Sequence, residues 1–545
     1  MIDPKHLNRF FLVATVAIGS TWFAACDSGI SGDLLANQPP ETTLSVRDSS
    51  LVDNLAGADR LASTVLVSWS GDDPDGFVQS YEVRFYDVSE NPLPNSGWTS
   101  TARTDSLVLL PIERGERTAN VVFEARAIDN QGEVDPTPAR TVFPIENGPP
   151  SIRFSPFDVP PDTTFPIVTF SWIAEDPEGR GNLASIDVSF NDSMSFVSLP
   201  SDTEFATFRG EVDIGDASQL EVEGRVFLGR GYNSTSIFVP GWRMDAENTF
   251  YLRAVDATDT TSVRQEFTWF TKRQTSDILY VNDFRLASNP TVQAFHLGLL
   301  QEYVGANEPI DVWTITTPFV SGSAGNVPRS DLLPPNANPT LRRMLENYKY
   351  IYWVSTNTTN RITGNNLPFA ASVTDLFFEN GGKMMVHSPI SLPANPEDNL
   401  GNAAILLLPL SEMITFPDSL RQQLRLPTNA AVSPVSALPA VATPLPILKS
   451  GAFLINTLPF VILGSNSIPL YEAEYRYVTR AGQQGPWSGP ATIASISTDQ
   501  RVGLFALPLV NDQSGAQILI GADGDTEAPK QAIKLMLESL GFPKR

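Results

Sequence analysis

The stretch SWSGDDPDG at residues 68–76 returns 103 residues later, at 171–179, as SWIAEDPEG, with Trp69 and Trp172, Asp73 and Asp176, Pro74 and Pro177, and Gly76 and Gly179 in one register. Around the first copy, VLVSWSGDDPDGFVQSYEVRFYD (65–87) sets Val65, Val67 and Trp69 on one side of an extended segment. It breaks at the acidic turn and resumes alternation with Tyr81, Val83 and Phe85. The second copy, VTFSWIAEDPEGRGNLASIDVSFND (168–192), does the same with Phe170 and Trp172, then Ile186, Val188 and Phe190. Farther on, the Arg-Ala-x-Asp run of residues 126–129 recurs at 253–256. A period of two, interrupted by Gly, Pro, Asn and Asp turns, is the pattern of an antiparallel sandwich, because alternate side chains must face the core and the rest must face water.

With a Trp on the second strand, YEVRF on the third and an Arg-Ala-x-Asp strand near the end, both copies resemble fibronectin type III and related immunoglobulin-like modules. The resemblance implies two all-β sandwiches, over 43–146 and 149–273, joined by ENGPPS at 146–151. The second is longer, with weak patterning over 193–241. The acidic turns have two readings. Asp72, Asp73 and Asp75 place three carboxylates within four residues, a set suited to calcium. Alternatively Asp-Pro and Asp-Gly simply shape a strand connection, as in Asp176-Pro-Glu-Gly, and the repeat is a copied turn. No other cofactor is expected. Trp69 and Trp172 are expected in the two cores.

A chain of 545 residues exceeds one hydrophobic core, and 44 prolines with 36 glycines indicate many turns and few long helices. The formal charge of −24 is uneven: residues 1–276 hold 40 acidic against 20 basic side chains, the remainder 21 against 17. Such a front half repels nucleic acid and anionic headgroups. One cysteine excludes an intrachain disulfide and any Cys-rich zinc site.

That residue, Cys26, follows Lys5, Arg9, the apolar run FFLVATVAIGSTWFAA (10–25) and the small pair Ala24–Ala25. The run has the length of a signal-peptide core and is short for a membrane-spanning helix. The arrangement resembles the lipobox of a bacterial lipoprotein, although Phe23 stands where Leu is usual. The resemblance implies removal of residues 1–25 and lipidation of Cys26, and with it a membrane partner and a place at the cell envelope, on the outer membrane or cell surface. The polar segment 26–42 is expected to be a tether.

The texture changes at Asp277. DILYVND (277–283), IDVWTI (310–315), YKYIYWVS (348–355) and KMMVHS (383–388) read as strands buried on both faces. Between them NPTVQAFHLGLLQEYV (289–304), residues 339–347 and ASVTDLFFENGG (371–382) read as helices, and RVGLFALPLV (501–510) precedes a last one in APKQAIKLMLESLGF (528–542). Alternating strand and helix means a parallel sheet with right-handed crossovers. Residues 277–390 and 500–545 resemble the glutamine-amidotransferase-like fold, a flavodoxin-like three-layer sandwich, in its trehalose-utilisation-like branch. The Pro- and Leu-rich insertion at about 392–500 is expected to be a lid or embellishment with a few antiparallel strands.

The resemblance implies a cleft at the carboxyl ends of the strands, where Asp283, His387 and Ser388 are the candidate binding residues. Catalytic members use a cysteine nucleophile, and residues 277–545 contain none. VHSPIS lacks the G-x-S-x-G setting of a nucleophilic serine, and no phosphate-cradling loop follows the first strand. The histidines are His6, His296 and His387; His6 falls in the leader and His296 within a helix, so no multi-histidine metal site is expected. The expected function is a non-catalytic binding or structural protein of the envelope with a protein or glycan partner. The alternative is a carbohydrate-binding or carbohydrate-active protein using the same cleft.

Overall fold

The computed structural model describes residues 36–46, 60–156, 158–284, 288–315, 338–355, 366–390, 405–414, 423–455, 457–479 and 481–544. Cys26 and the segment before it lie outside the described residues. Among the described residues no helix is long and apolar enough to cross a membrane. The chain divides into two compact units, one holding residues 1–60, 65–108 and 120–144, the other 61–64, 109–119 and 145–545.

The first repeat forms a small sandwich. Glu41–Val46, Thr64–Asp72 and Asp105–Leu109 make one sheet. In the other, Val78–Asp87 runs antiparallel between Thr99–Thr101 and Thr118–Asp129. Val67 and Trp69 turn inward, and the Trp69 ring meets Phe123 of the other sheet at 5.9 Å between centroids. The third strand departs from the expected alternation: Tyr81 is buried, but Val83 is half-buried and Phe85 is 45% exposed. The sheet facing it has only three strands, too few to cover that end. The tether is also shorter than expected, since Asn37 and Gln38 are already hydrogen-bonded to this module and Glu41 begins its first strand.

The second repeat builds two five-stranded sheets. The stretch expected to be weakly patterned holds Glu221–Leu228 and Asn233–Arg243, which pair antiparallel and widen one sheet; Val222, Val226 and Val239 face the core. That core is aromatic. Phe170 stacks on Phe250 at 4.3 Å, and Phe190, Trp242 and Trp269 complete the cluster. The strand carrying Trp172 is buried on both faces from Ile167 to Trp172. Its outer side is covered by the C-terminal domain: the Thr169 N–H donates to Thr340 Oγ1 at 3.0 Å, and Phe165 packs edge-on against Tyr348.

In the C-terminal domain the parallel strands are β1 (Ile278–Asp283), β2 (Asp311–Thr314), β3 (Tyr350–Ser355), β4 (Lys383–His387) and β5 (Val502–Phe505). They lie in the order β2-β1-β3-β4-β5, every neighbouring pair parallel. The helices are α1 (Asn289–Val304), α2 (Asn338–Glu346), α3 (Leu367–Val373), α4 (Asp375–Glu379) and α5 (Ala528–Ser539). Pro290 starts α1, where its missing N–H is harmless. Beyond α4 the chain reverses through Gly381 at φ +81°, and a Cβ on Gly382 would collide with the Phe377 ring.

The insertion does more than cover the domain. Thr492–Ser497, Ser467–Ala473, Ala431–Pro434 and Leu448–Ser450 extend the β5 side of the same sheet in antiparallel fashion, and Leu519–Gly521 closes that edge. Gln423–Leu426 centres a separate four-stranded sheet with Leu454–Ile455, Arg476–Val478 and Gln484–Pro486. Leu424, Val432 and Leu470 join the same continuous core as the parallel strands.

Candidate functional site

Register decides which side chains meet at the carboxyl ends of the strands. Asn282 of β1 pairs with Val354 of β3, which pairs with His387 of β4. Successive side chains on a strand point to opposite faces, so Asp283 and His387 lie on different faces of the sheet. Asp283 is fully buried, and its carboxylate accepts the Asn366 N–H and Asn366 Nδ2 at 2.6 Å each and Trp353 Nε1 at 3.3 Å. It anchors the entry to α3. It does not line the cleft expected for it.

His387 does line a cavity, of about 360 Å³, at the carboxyl ends of the parallel strands. Ser388 is buried outside the lining, its N–H bonded to the Phe505 carbonyl. His296 is the residue the sequence reading passed over. It follows Val292 by four positions and precedes Leu299 and Leu300 by three and four, so it sits on the buried stripe of α1. A polar residue on that stripe was the available signal. Its ring lies 4.3 Å from the His387 ring, centroid to centroid, with an interplanar angle of 45°. Among the described residues no group of three or more His, Cys, Asp or Glu side chains is arranged to hold a metal ion.

The Tyr352 hydroxyl lies 3.0 Å from His296 Nδ1. A phenol donating to that nitrogen leaves the proton of neutral His296 on Nε2. His296 Nε2, His387 Nδ1 and Ser355 Oγ are buried without a partner, and all three residues line the cavity. Burial holds both imidazoles neutral, pushing His387 down to about 3 and His296 well below its ordinary value. A ligand with hydrogen-bonding groups of its own can pair with these atoms. The walls are mixed: Phe284 after β1, Val292 of α1, Ile390 after β4, Leu454 of the insertion, Leu509 and Ile518 supply the apolar part, and Thr457 and Asn511 add to the polar part. Asp512 is the one carboxylate in the described lining, and it accepts the Ser288 hydroxyl at 2.9 Å.

The acidic turns meet the chain that enters each module. In each module an Asn-x-Pro-Pro leader, Asn37–Pro40 or Asn147–Pro150, closes onto the turn. Asn37 Nδ2 donates to Asp129 and the Gln38 N–H to Asp75 Oδ2 at 3.1 Å. Asn147 Nδ2 donates to Asp256 and the Gly148 N–H to Glu178 Oε1 at 3.0 Å. Asp72 is exposed. Of the three carboxylates considered for calcium, Asp75 receives the chain entering the first module, a role visible only once leader and turn are adjacent.

In the second module Asp176 Oδ2 and Glu178 Oε2 are buried without partners. Burial, reinforced by the adjacent Glu178 carboxyl, raises Asp176 to about 6. A folded-state value above the unfolded one means that the folded protein holds the proton more tightly. Its stabilisation is complete below about 4 and is lost as pH rises through about 6. Asp176→Asn is expected to raise the thermal midpoint at pH 7.5 relative to pH 4.5, measured as the difference from wild type. A difference independent of pH would contradict this assignment.

No family model matches the sequence, and no curated protein matches it. Several solved structures show similarity. The fibronectin(III)-like modules of Clostridium thermocellum CbhA align at 11% identity, over 42% of this chain and 95% of that one, with a TM-score of 0.15. The FN1–FN3 domains of chicken CNTN1 align at 12% identity, over 43% and 66%, with a TM-score of 0.20. The chicken interferon gamma receptor alpha chain aligns at 11%, over 40% and 97%, with a TM-score of 0.19. The neighbours are thus fibronectin type III-like modules, and each alignment leaves more than half of this chain uncovered.

Proposed function

We propose that this protein is a lipid-anchored component of a bacterial cell envelope that binds a small ligand without transforming it. Cys26 carries the anchor, the two fibronectin-type modules form the stalk, and the C-terminal domain is the receptor. The strand order β2-β1-β3-β4-β5 supports a flavodoxin-like, amidotransferase-like origin for that domain. The observation carrying the reading is the cavity itself: two neutral histidines and a serine converge on it, with no thiol in the domain to act as nucleophile. A carbohydrate-active enzyme using the same cleft would need paired carboxylates, and Asp512 is alone in the described lining.

Two measurements test this. Cys26→Ser is expected to move the protein from the membrane fraction to the soluble fraction; firm retention would overturn the anchor. Incubating the purified protein with amide and glycoside substrates is expected to yield no turnover, and hydrolysis of either would overturn the non-catalytic role.

A further inference from the structure

We infer that the cavity under α1 receives an uncharged amphiphile: an apolar body with one polar head, such as an amide, that both donates and accepts hydrogen bonds. The inference rests on the binding reading above and deepens it. Four unpartnered polar atoms, His296 Nε2, His387 Nδ1, Ser355 Oγ and Thr457 Oγ1, belong to residues of one lining, and the two histidine rings touch. Their hydrogen-bonding capacity is mixed. With the Tyr352 hydroxyl donating to Nδ1, His296 Nε2 carries the ring proton and donates. Nδ1 of neutral His387 donates or accepts according to its tautomer, and the Ser355 hydroxyl does both. A head group that only accepts or only donates leaves some of these unpaired.

Charge is selected against from both sides. Among the described residues the lining contains no Lys or Arg to meet an anion, and its single carboxylate, Asp512, is already engaged by Ser288. Two buried imidazoles in contact do not both accept protons to compensate an acid. A sugar presents hydroxyls around its whole perimeter, whereas Phe284, Val292, Ile390, Leu454, Leu509 and Ile518 offer them nothing. The cavity would otherwise hold water, part of it against apolar wall. A short alkyl chain displaces that water and leaves the head at the histidines.

The test uses the full-length protein in detergent-free buffer, as the Cys26→Ser form, with octanamide, octanoate, octylammonium and maltose as probes below any micelle concentration. Binding is read by saturation-transfer NMR and calorimetry at pH 7.5. Octanamide is expected to bind at least about tenfold more tightly than the other three. Ile390→Trp, which fills the cavity, is expected to abolish that binding, with Val292→Phe as the second filling variant should the first fold poorly. His387→Leu is expected to weaken octanamide about fivefold or more. If octanoate, octylammonium or maltose binds as well as octanamide and is blocked by the filling variants, the ligand class is wrong while the receptor reading survives. If no probe binds wild type in a way the filling variants block, the receptor reading falls with it.

Discussion

Replacing Asp283 by alanine is expected to destabilise the C-terminal domain by about 3–5 kcal/mol, because three buried donors lose their common acceptor. The Asn366 N–H and side-chain amide each reach Asp283 at 2.6 Å, and Trp353 Nε1 reaches it at 3.3 Å. Water cannot replace the carboxylate at a site with no exposed surface. Asp283→Asn keeps one acceptor oxygen and turns the other position into a donor facing donors, so it should recover only part of the loss. Urea unfolding followed by tryptophan fluorescence reads both variants. A loss below about 1 kcal/mol for alanine would mean that Asp283 does not organise the start of α3. The same substitution separates structure from binding, since octanamide should still bind the folded fraction unchanged.

Trp172→Ala is expected to cost about 3–5 kcal/mol, the range for emptying an indole-sized space in a packed core. Trp172 is 1% exposed, and its Nε1 donates to the Thr203 carbonyl at 2.7 Å, so the variant leaves both a cavity and an unpaired carbonyl. The effect should pass beyond the second sandwich. The strand that carries Trp172 is bonded on its outer side to Thr340 of α2, and Phe165 beside it packs on Tyr348. Calorimetry should therefore show the second sandwich and the C-terminal domain melting together at a lower temperature in the variant. A shifted sandwich transition with an unmoved C-terminal one would show that the packing between them carries no cooperative energy.

Much of the architecture was legible beforehand because it is written in local periods. Val67 and Trp69, or Phe170 and Trp172, alternate with polar neighbours whatever surrounds them, and the helix expected at 289–304 runs from Asn289 to Val304. Composition reads well for the same reason: the absence of a thiol after Asp277 needs no coordinates. The insertion was harder, since its strands are short and proline-rich, and their value lies in pairing onto a sheet that begins elsewhere in the chain.

The site divides along the same line. By itself the sequence determined two copied sandwich modules, an alternating strand–helix domain containing no cysteine, and a lone cysteine behind an apolar run. Tertiary structure alone decided that Asp283 and His387 part to opposite faces, that His296 crosses from a helix to meet His387, and that Asn147 closes onto Asp256. The physical reason is that periodicity belongs to a single segment of chain. Which side chains converge depends on the register between strands, on which face a helix covers, and on contacts between residues about a hundred positions apart, none of which a local pattern encodes.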